Sequence, residues 1–196
     1  MSGVLLEWVR GRRDHADEAV GQILDAAIAT FSRLGIRRAT MDDIARAAGL
    51  GRATVYRRFP QKGDLIRAAL LHELRRFLDD LDDAIAGAPT VRARLEAGFV
   101  TGVLGVRAHP LLTRLLATEP QDVLPYLTLD AGPSLAIASG YLAGHLRAGV
   151  AAGEFEVADP DLVAEIMVRL AHSLVLTPDD ERIPVLARAH LSALLT

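Results

Sequence analysis

The sequence predicts an all-α protein of about nine helices. Three observations predict it. Apolar residues recur at three- and four-residue spacing through almost every segment. No stretch alternates with the period of two that a half-buried strand requires. The breaks in the periodic pattern coincide with Thr, Gly and Pro, the residues that start and stop helices.

Each element follows in order. Val20, Ile23, Leu24, Ala27, Phe31 and Leu34 line one helix, which ends at Gly35. Thr40 opens a short helix as its N-cap, with Asp43 three residues on as a capping-box partner suited to the positive helix end. Ile44 and Ala48 form its inner face, and Gly49 ends it. Gly51 begins a second short helix whose Val55 and Phe59 share one face, and Pro60 stops it. A long helix follows over 62–86, with Leu65, Leu70, Leu74, Phe77, Leu81 and Ile85 inward. Gly87, Ala88 and Pro89 close it, and Thr90 caps a helix carrying Val91, Leu95, Phe99 and Val103. Pro110, Pro120 and Pro125 mark breaks around short helical pieces. Pro133 opens a long helix through Leu135, Leu142 and Leu146. Pro160, tolerated in a first turn, begins a helix to Leu176, and Ile183 begins the last one.

The composition bounds the function. The 196 residues are 51% hydrophobic and 24% charged, enough apolar mass for a folded core in one or two small domains. With 0 cysteines, a disulfide scaffold, a cysteine nucleophile and a thiolate metal site are excluded. The longest uncharged run, Ala131 to Leu146, is 16 residues and holds Pro133 and His145. That is short of the roughly 20 apolar residues that span a bilayer. Val4, Leu5 and Leu6 precede Glu7 with no basic residue before them, which does not resemble a signal peptide. A cytoplasmic protein without a membrane partner is expected.

The net charge of -3 hides an imbalance. Residues 1–64 carry 11 Arg/Lys against 8 Asp/Glu, a charge of +3, and residues 65–196 carry 11 against 17, a charge of -6. The division suggests that only an N-terminal domain, 1–64, meets a polyanion, on an acidic helical body, 65–196. Arg10, Arg12 and Arg13 form a basic arm, and Arg52, Arg57, Arg58 and Lys62 crowd a second stretch.

Two short helices joined by a tight turn describe a helix-turn-helix unit, with Arg52 to Phe59 as the reading helix. Val55 and Phe59 anchor it inward. Arg52, Ala53, Tyr56 and Arg57 then face outward, with Thr54 near the helix start. Arginine pairs with guanine O6 and N7, and hydroxyls reach phosphate. Lys62 opens the next helix, where an ammonium and backbone N–H groups can share one phosphate.

These residues resemble the TetR family of one-component bacterial transcription regulators. The matching run is Phe31-Ser32-Arg33-Leu34-Gly35, Thr40-Met41-Asp42-Asp43-Ile44-Ala45, and Ala48 through Lys62. The resemblance implies DNA contacts from Thr40, Arg52, Thr54, Tyr56 and Lys62, with Arg57 as an additional contact. Two positions depart from the usual pattern. Gly51 stands where serine is frequent, which removes a side-chain cap. Arg58 stands where histidine is frequent, adding either a phosphate contact or a solvated charge. The arm Arg10, Arg12 and Arg13 either reaches a minor groove or is a tail without contacts.

The resemblance also implies a homodimer on a pseudo-palindromic operator, paired through the last two long helices. Ile166, Leu174, Leu186, His190 and Leu194 are the candidates there. It further implies an effector pocket in the C-terminal domain and a repressor released by a small lipophilic compound. Phe99, Leu104, Leu112, Leu115, Tyr126, Tyr141, Met167 and Leu170 are candidates for its wall, with His109 or Arg169 as polar anchors. No cofactor or metal is expected. Two other readings remain. Asp79, Asp80, Asp82 and Asp83 spell DDLDD, a pattern that Mg²⁺-dependent helical diphosphate enzymes use; against that, Leu78, Leu81 and Ile85 make it a solvated helix face. A helical small-molecule carrier without DNA binding is the other. His72-Glu73 lacks the second histidine of a zinc helix and is expected at the surface.

Overall fold

A computed structural model of the chain describes residues 15–177 and 181–194. Among the described residues there are ten helices. They are α1 (His15–Leu34), α2 (Met41–Ala47), α3 (Arg52–Arg58), α4 (Lys62–Ile85), α5 (Val91–Ala108), α6 (Pro110–Thr118), α7 (Pro120–Leu127), α8 (Gly132–Ala151), α9 (Pro160–Leu176) and α10 (Ile183–Leu194). None is long and apolar enough to cross a membrane. The arm Arg10, Arg12 and Arg13 lies outside the described residues.

The proline-marked pieces account for the tenth helix. Pro110 and Pro120 each start a helix, where the missing N–H costs nothing. Pro125 does not break α7 but sits inside it. The helix ends two residues later, so the lost hydrogen bond affects only its final turn.

The helices form two compact units. Among the described residues, the first comprises those up to 73 together with 113–128, and the second 74–112 and those from 129 onward. This division differs from 1–64 and 65–196. The segment 113–128 groups with the N-terminal helices because its polar groups bind their turns, as described below, over more than eighty residues of sequence.

In the first unit, α1 packs on α2 and α2 on α3. Phe31, Ile44, Val55 and Leu65, one from each successive helix, are at most 1% exposed. In the second unit, α8 and α9 pack together, and α5 packs against α8, α9 and α10. Leu95, Phe99, Val103, Leu146, Phe155, Met167, Leu174, Ile183 and Leu191 form its main core. Leu78, Leu81 and Ile85 of α4 form a smaller cluster with Phe77, Ile137 and Tyr141 packed against it. Asp79, Asp80, Asp82 and Asp83 are exposed residues of the same helix. Among the described residues, no group of three or more histidines and acids is placed to hold a metal ion.

Glu154 belongs to the turn between α8 and α9. Its carboxylate accepts from the Val91 and Arg92 N–H groups at the start of α5, at 2.7 and 3.3 Å. Thr90 accepts from Ala93 N–H at the same helix end. Three of the four orphan donors of that terminus are thereby satisfied.

Candidate nucleic-acid interface

α2 is fixed first, by its cap. The Thr40 hydroxyl accepts from Asp43 N–H at 3.1 Å, and Thr40 N–H donates to Asp43 Oδ2 at 3.1 Å. The hydroxyl proton goes to the same carboxylate at 2.5 Å. These bonds, the hydroxyl first, hold the Asp43 carboxyl below its ordinary pKa. The charged cap therefore acts at neutral pH and is lost as pH falls through the lowered value. Thr40, expected as a DNA contact, has its only side-chain donor committed to this cap.

α3 begins at Gly51 without a side-chain cap, as the glycine implies. Val55 is fully buried and Phe59 is 3% exposed. They hold the helix so that Arg52, Ala53, Tyr56 and Arg57 are exposed and Thr54 is half-buried. Tyr56 is 47% exposed, an unusual placement for a large aromatic ring with no interior role. Arg58 is half-buried, and its Nε is shielded without a hydrogen-bond partner. Only the outer end of its guanidinium is available to a ligand.

The interface contains an ion pair that the sequence pattern did not signal. Arg52 Nη2 lies 2.9 Å from Asp42 Oδ2, so the first residue of α3 is tied to the second residue of α2. Asp43, next along α2, takes Arg46 instead, at 3.1 Å.

A second set of polar contacts secures the turn between α1 and α2. Glu119, between α6 and α7, accepts from Ile36 N–H at 2.6 Å and Arg37 N–H at 3.2 Å. Arg114 Nη2 donates to the Arg33 carbonyl at the end of α1, at 3.0 Å. Arg37 pairs with Asp122 at 3.1 Å. Lys62 Nζ reaches the Arg37 carbonyl at 3.4 Å. Partial burial lowers the Lys62 pKa, and the Glu119 and Asp122 charges oppose that shift. No local sequence signal points to Glu119, because its partners are 82 and 83 residues away.

The other candidate residues divide. Leu115 is fully buried in the first unit, and Tyr126, also in the first unit, lies under the Arg67 guanidinium at 5.9 Å. Phe99 and Met167 are buried in the main core of the second unit, with Leu104 and Leu170 packed against it. Tyr141 belongs instead to the smaller cluster. Its hydroxyl donates to Asp82 at 3.2 Å, His145 Nε2 lies 3.1 Å from the same oxygen, and burial raises the phenol pKa. His109 meets the Phe77 ring edge-on at 6.5 Å, and Leu112 is half-buried.

Arg169 is not an interior anchor: it is exposed and pairs with Glu165 one turn back on α9. Leu174 is 8% exposed and belongs to the main core of the second unit. Leu186 and Leu194 are half-buried against that core, and His190 Nδ1 lies 3.0 Å from the Leu186 carbonyl of its own helix. The open apolar positions of α9 and α10 are Leu162, Ile166, Leu176 and Val185, 41–65% exposed. His72 is half-buried; its side chain is 18% exposed and lies 3.0 Å from the exposed Asp25.

A capped α2, a turn and an anchored α3 with an exposed basic and aromatic face define a helix-turn-helix DNA-binding transcriptional regulator. Residues 23–69 match the family described as bacterial regulatory proteins, tetR family, and residues 91–196 match the bacterial tetracyclin repressor C-terminal domain. The chain belongs to the TetR family. It is 28% identical over 173 residues to the HTH-type regulator Mb2274c of Mycobacterium bovis, covering 85% of this chain and 84% of that one. It is 40% identical over 67 residues to TtgR of Pseudomonas putida, within 33% of this chain and 32% of that protein. Among solved structures, the TetR family repressor AlkX from Dietzia shares the fold. Its TM-score is 0.71 at 24% identity, over 94% of this chain and 98% of that one.

Proposed function

We propose that the chain is a homodimeric repressor that reads a pseudo-palindromic operator and leaves it when a small, mainly apolar effector binds the second unit. The carrying observation is the α3 face, where Arg52, Tyr56 and Arg57 are exposed while Val55 and Phe59 are buried. Arg52 contacts a base edge. Thr54, Tyr56, Arg57, Lys62 and the outer end of Arg58 contact phosphates.

The two kinds of contact separate by mutation. Arg52→Ala relaxes preference at one base pair by about 1–3 kcal/mol. Lys62→Ala weakens binding to all duplexes alike and lowers the salt slope by about one unit. Competition binding against single-base-pair variants at several salt concentrations reads both. An Arg52→Ala protein with every base preference intact would show that the reading face is placed wrongly.

The dimer is assigned to the open stripe Leu162, Ile166 and Val185, in place of the buried Leu174. One reading helix alone buries little surface on DNA, which is the reason two are needed. Ile166→Glu, on an exposed position, leaves the fold intact and shifts sedimentation of micromolar protein from dimer to monomer. A wild-type protein that sediments only as monomer rules out the homodimer.

The effector reading draws on the half-buried residues Leu104, His109, Leu112, Tyr141 and Leu170, with Tyr141 and His109 as its polar contacts. Coupling between such sites is typically about 1–3 kcal/mol, or 5–150-fold in operator affinity. Titration of apolar compounds against the protein–operator complex tests it. A compound that binds the free protein and the complex with equal affinity is no effector, because linkage requires a difference.

A further inference from the structure

We propose that Asp42 is a positioning residue for DNA reading: its carboxylate holds the Arg52 guanidinium so that the remaining N–H groups meet one base pair. This rests on the reading of Arg52 as a base contact. Asp42 sits beside the capping box, and Thr40 and Asp43 fix the start of α2 on both backbone and side chain. Arg52 is the first residue of α3 and is 69% exposed along its side chain, against 34% for Asp42. The carboxylate is thus the better-fixed partner, and the arginine the mobile one.

An exposed arginine has many rotamers and loses that freedom when it docks. An ion pair formed before binding removes part of this loss. The chemistry permits both contacts at once. Guanidinium has five N–H donors in a planar fork, and the pair with Asp42 runs through Nη2. Guanine O6 and N7 need two of the donors. The neighbouring carboxylate does not compete for the role, because Asp43 is occupied by Thr40 and Arg46.

A carboxylate that only competed with the base pair for Arg52 would weaken binding at the preferred site, and its removal would tighten binding there.

The test uses the full chain and a randomised duplex library, from which the preferred duplex is selected. Wild type, Asp42→Asn, Asp42→Glu, Arg52→Ala and the Asp42→Asn/Arg52→Ala double variant are then titrated with that duplex and its single-base-pair variants. Thermal melts establish that each is folded. Arg52→Ala identifies the base pair concerned. Asp42→Asn is expected to reduce discrimination at that pair by roughly 3–10-fold, a part of what a full base contact supplies. Discrimination elsewhere stays, Asp42→Glu restores it, and Asp42→Asn adds nothing once Arg52 is alanine. The proposal is overturned if Asp42→Asn keeps full discrimination at that pair, if it tightens binding to the preferred duplex, or if its effect persists without Arg52. If Arg52→Ala alters no base preference, or no duplex is selected, the base-reading role itself fails and the proposal falls with it.

Discussion

Gly35→Ala lowers the stability of the helix-turn-helix unit by about 2–4 kcal/mol. Gly35 follows α1 with φ +83°, the left-handed conformation that commonly ends a helix. An alanine there costs on the order of 1 kcal/mol from the backbone alone. A Cβ would also stand 2.5–2.9 Å from the Glu119 carboxyl atoms. Glu119 could yield only by giving up one of its bonds to the Ile36 and Arg37 N–H groups. A hydrogen bond to a charged group contributes about 1.5–3 kcal/mol, so that loss costs more than the backbone strain. Thermal denaturation with hydrogen exchange over α1 and α2 measures the two costs together. In a Glu119→Ala background those hydrogen bonds are already gone, and Gly35→Ala should then cost only the backbone part. Equal costs in both backgrounds would show that the carboxylate moves aside freely.

Gly149→Ala destabilises the second unit by about 1–3 kcal/mol, against the ordinary preference of helices for alanine. Gly149 is buried in the last turn of α8, and the Phe155 ring folds back onto it closely enough that a Cβ would overlap the ring. Phe155 is 5% exposed within the main core, with the Arg92 guanidinium 5.9 Å from its ring centroid. The ring has little room to retreat, and overpacking a filled core strains it. The sign should reverse when the ring is removed. In a Phe155→Ala background, Gly149→Ala gains up to about 1 kcal/mol, the helix-propensity difference between the two residues. Denaturant titrations of the four proteins form a double-mutant cycle. A cycle in which Gly149→Ala costs the same with and without the ring removes Phe155 as the cause.

Both glycines are visible in the sequence, yet only Gly35 announces itself. It closes an apolar helical period, so its role as a stop signal is local. Gly149 lies inside a helix, and its neighbour Phe155 arrives only after the chain turns at Gly153. The same holds for Gly98 and Gly105 on α5, whose missing Cβ atoms leave room for Ile85 and Phe77 of α4.

The reading helix was legible for a comparable reason. Val55 and Phe59 are four apart, and Pro60 follows, so the inner face of α3 and its end are set by helix geometry alone. Arg52, Ala53, Tyr56 and Arg57 then fall outward with no tertiary information. The candidate pocket was not legible in this way. Leu104, Leu115, Met167 and Leu170 are all apolar residues at helical spacing, and periodicity assigns every one of them inward without saying against what. Leu115 thus falls in a different compact unit from Met167, and Leu174 in the core of its own monomer.

By itself the sequence determined the properties that depend on near neighbours. These are the helix periods, the Thr40–Asp43 and Thr90 caps, the uncapped start of α3 and the face that α3 presents. Each depends on residues within four positions, where backbone geometry fixes who meets whom. Only the tertiary structure decided the charged contacts across long separations. Glu119 reaches the turn after α1, Glu154 the start of α5, and Asp42 the side chain of Arg52. Orphan N–H groups at helix ends and turns must be satisfied, but any carboxylate brought near can do it. Which one does so is set by how the helices pack, and the apolar periods that drive packing do not encode it.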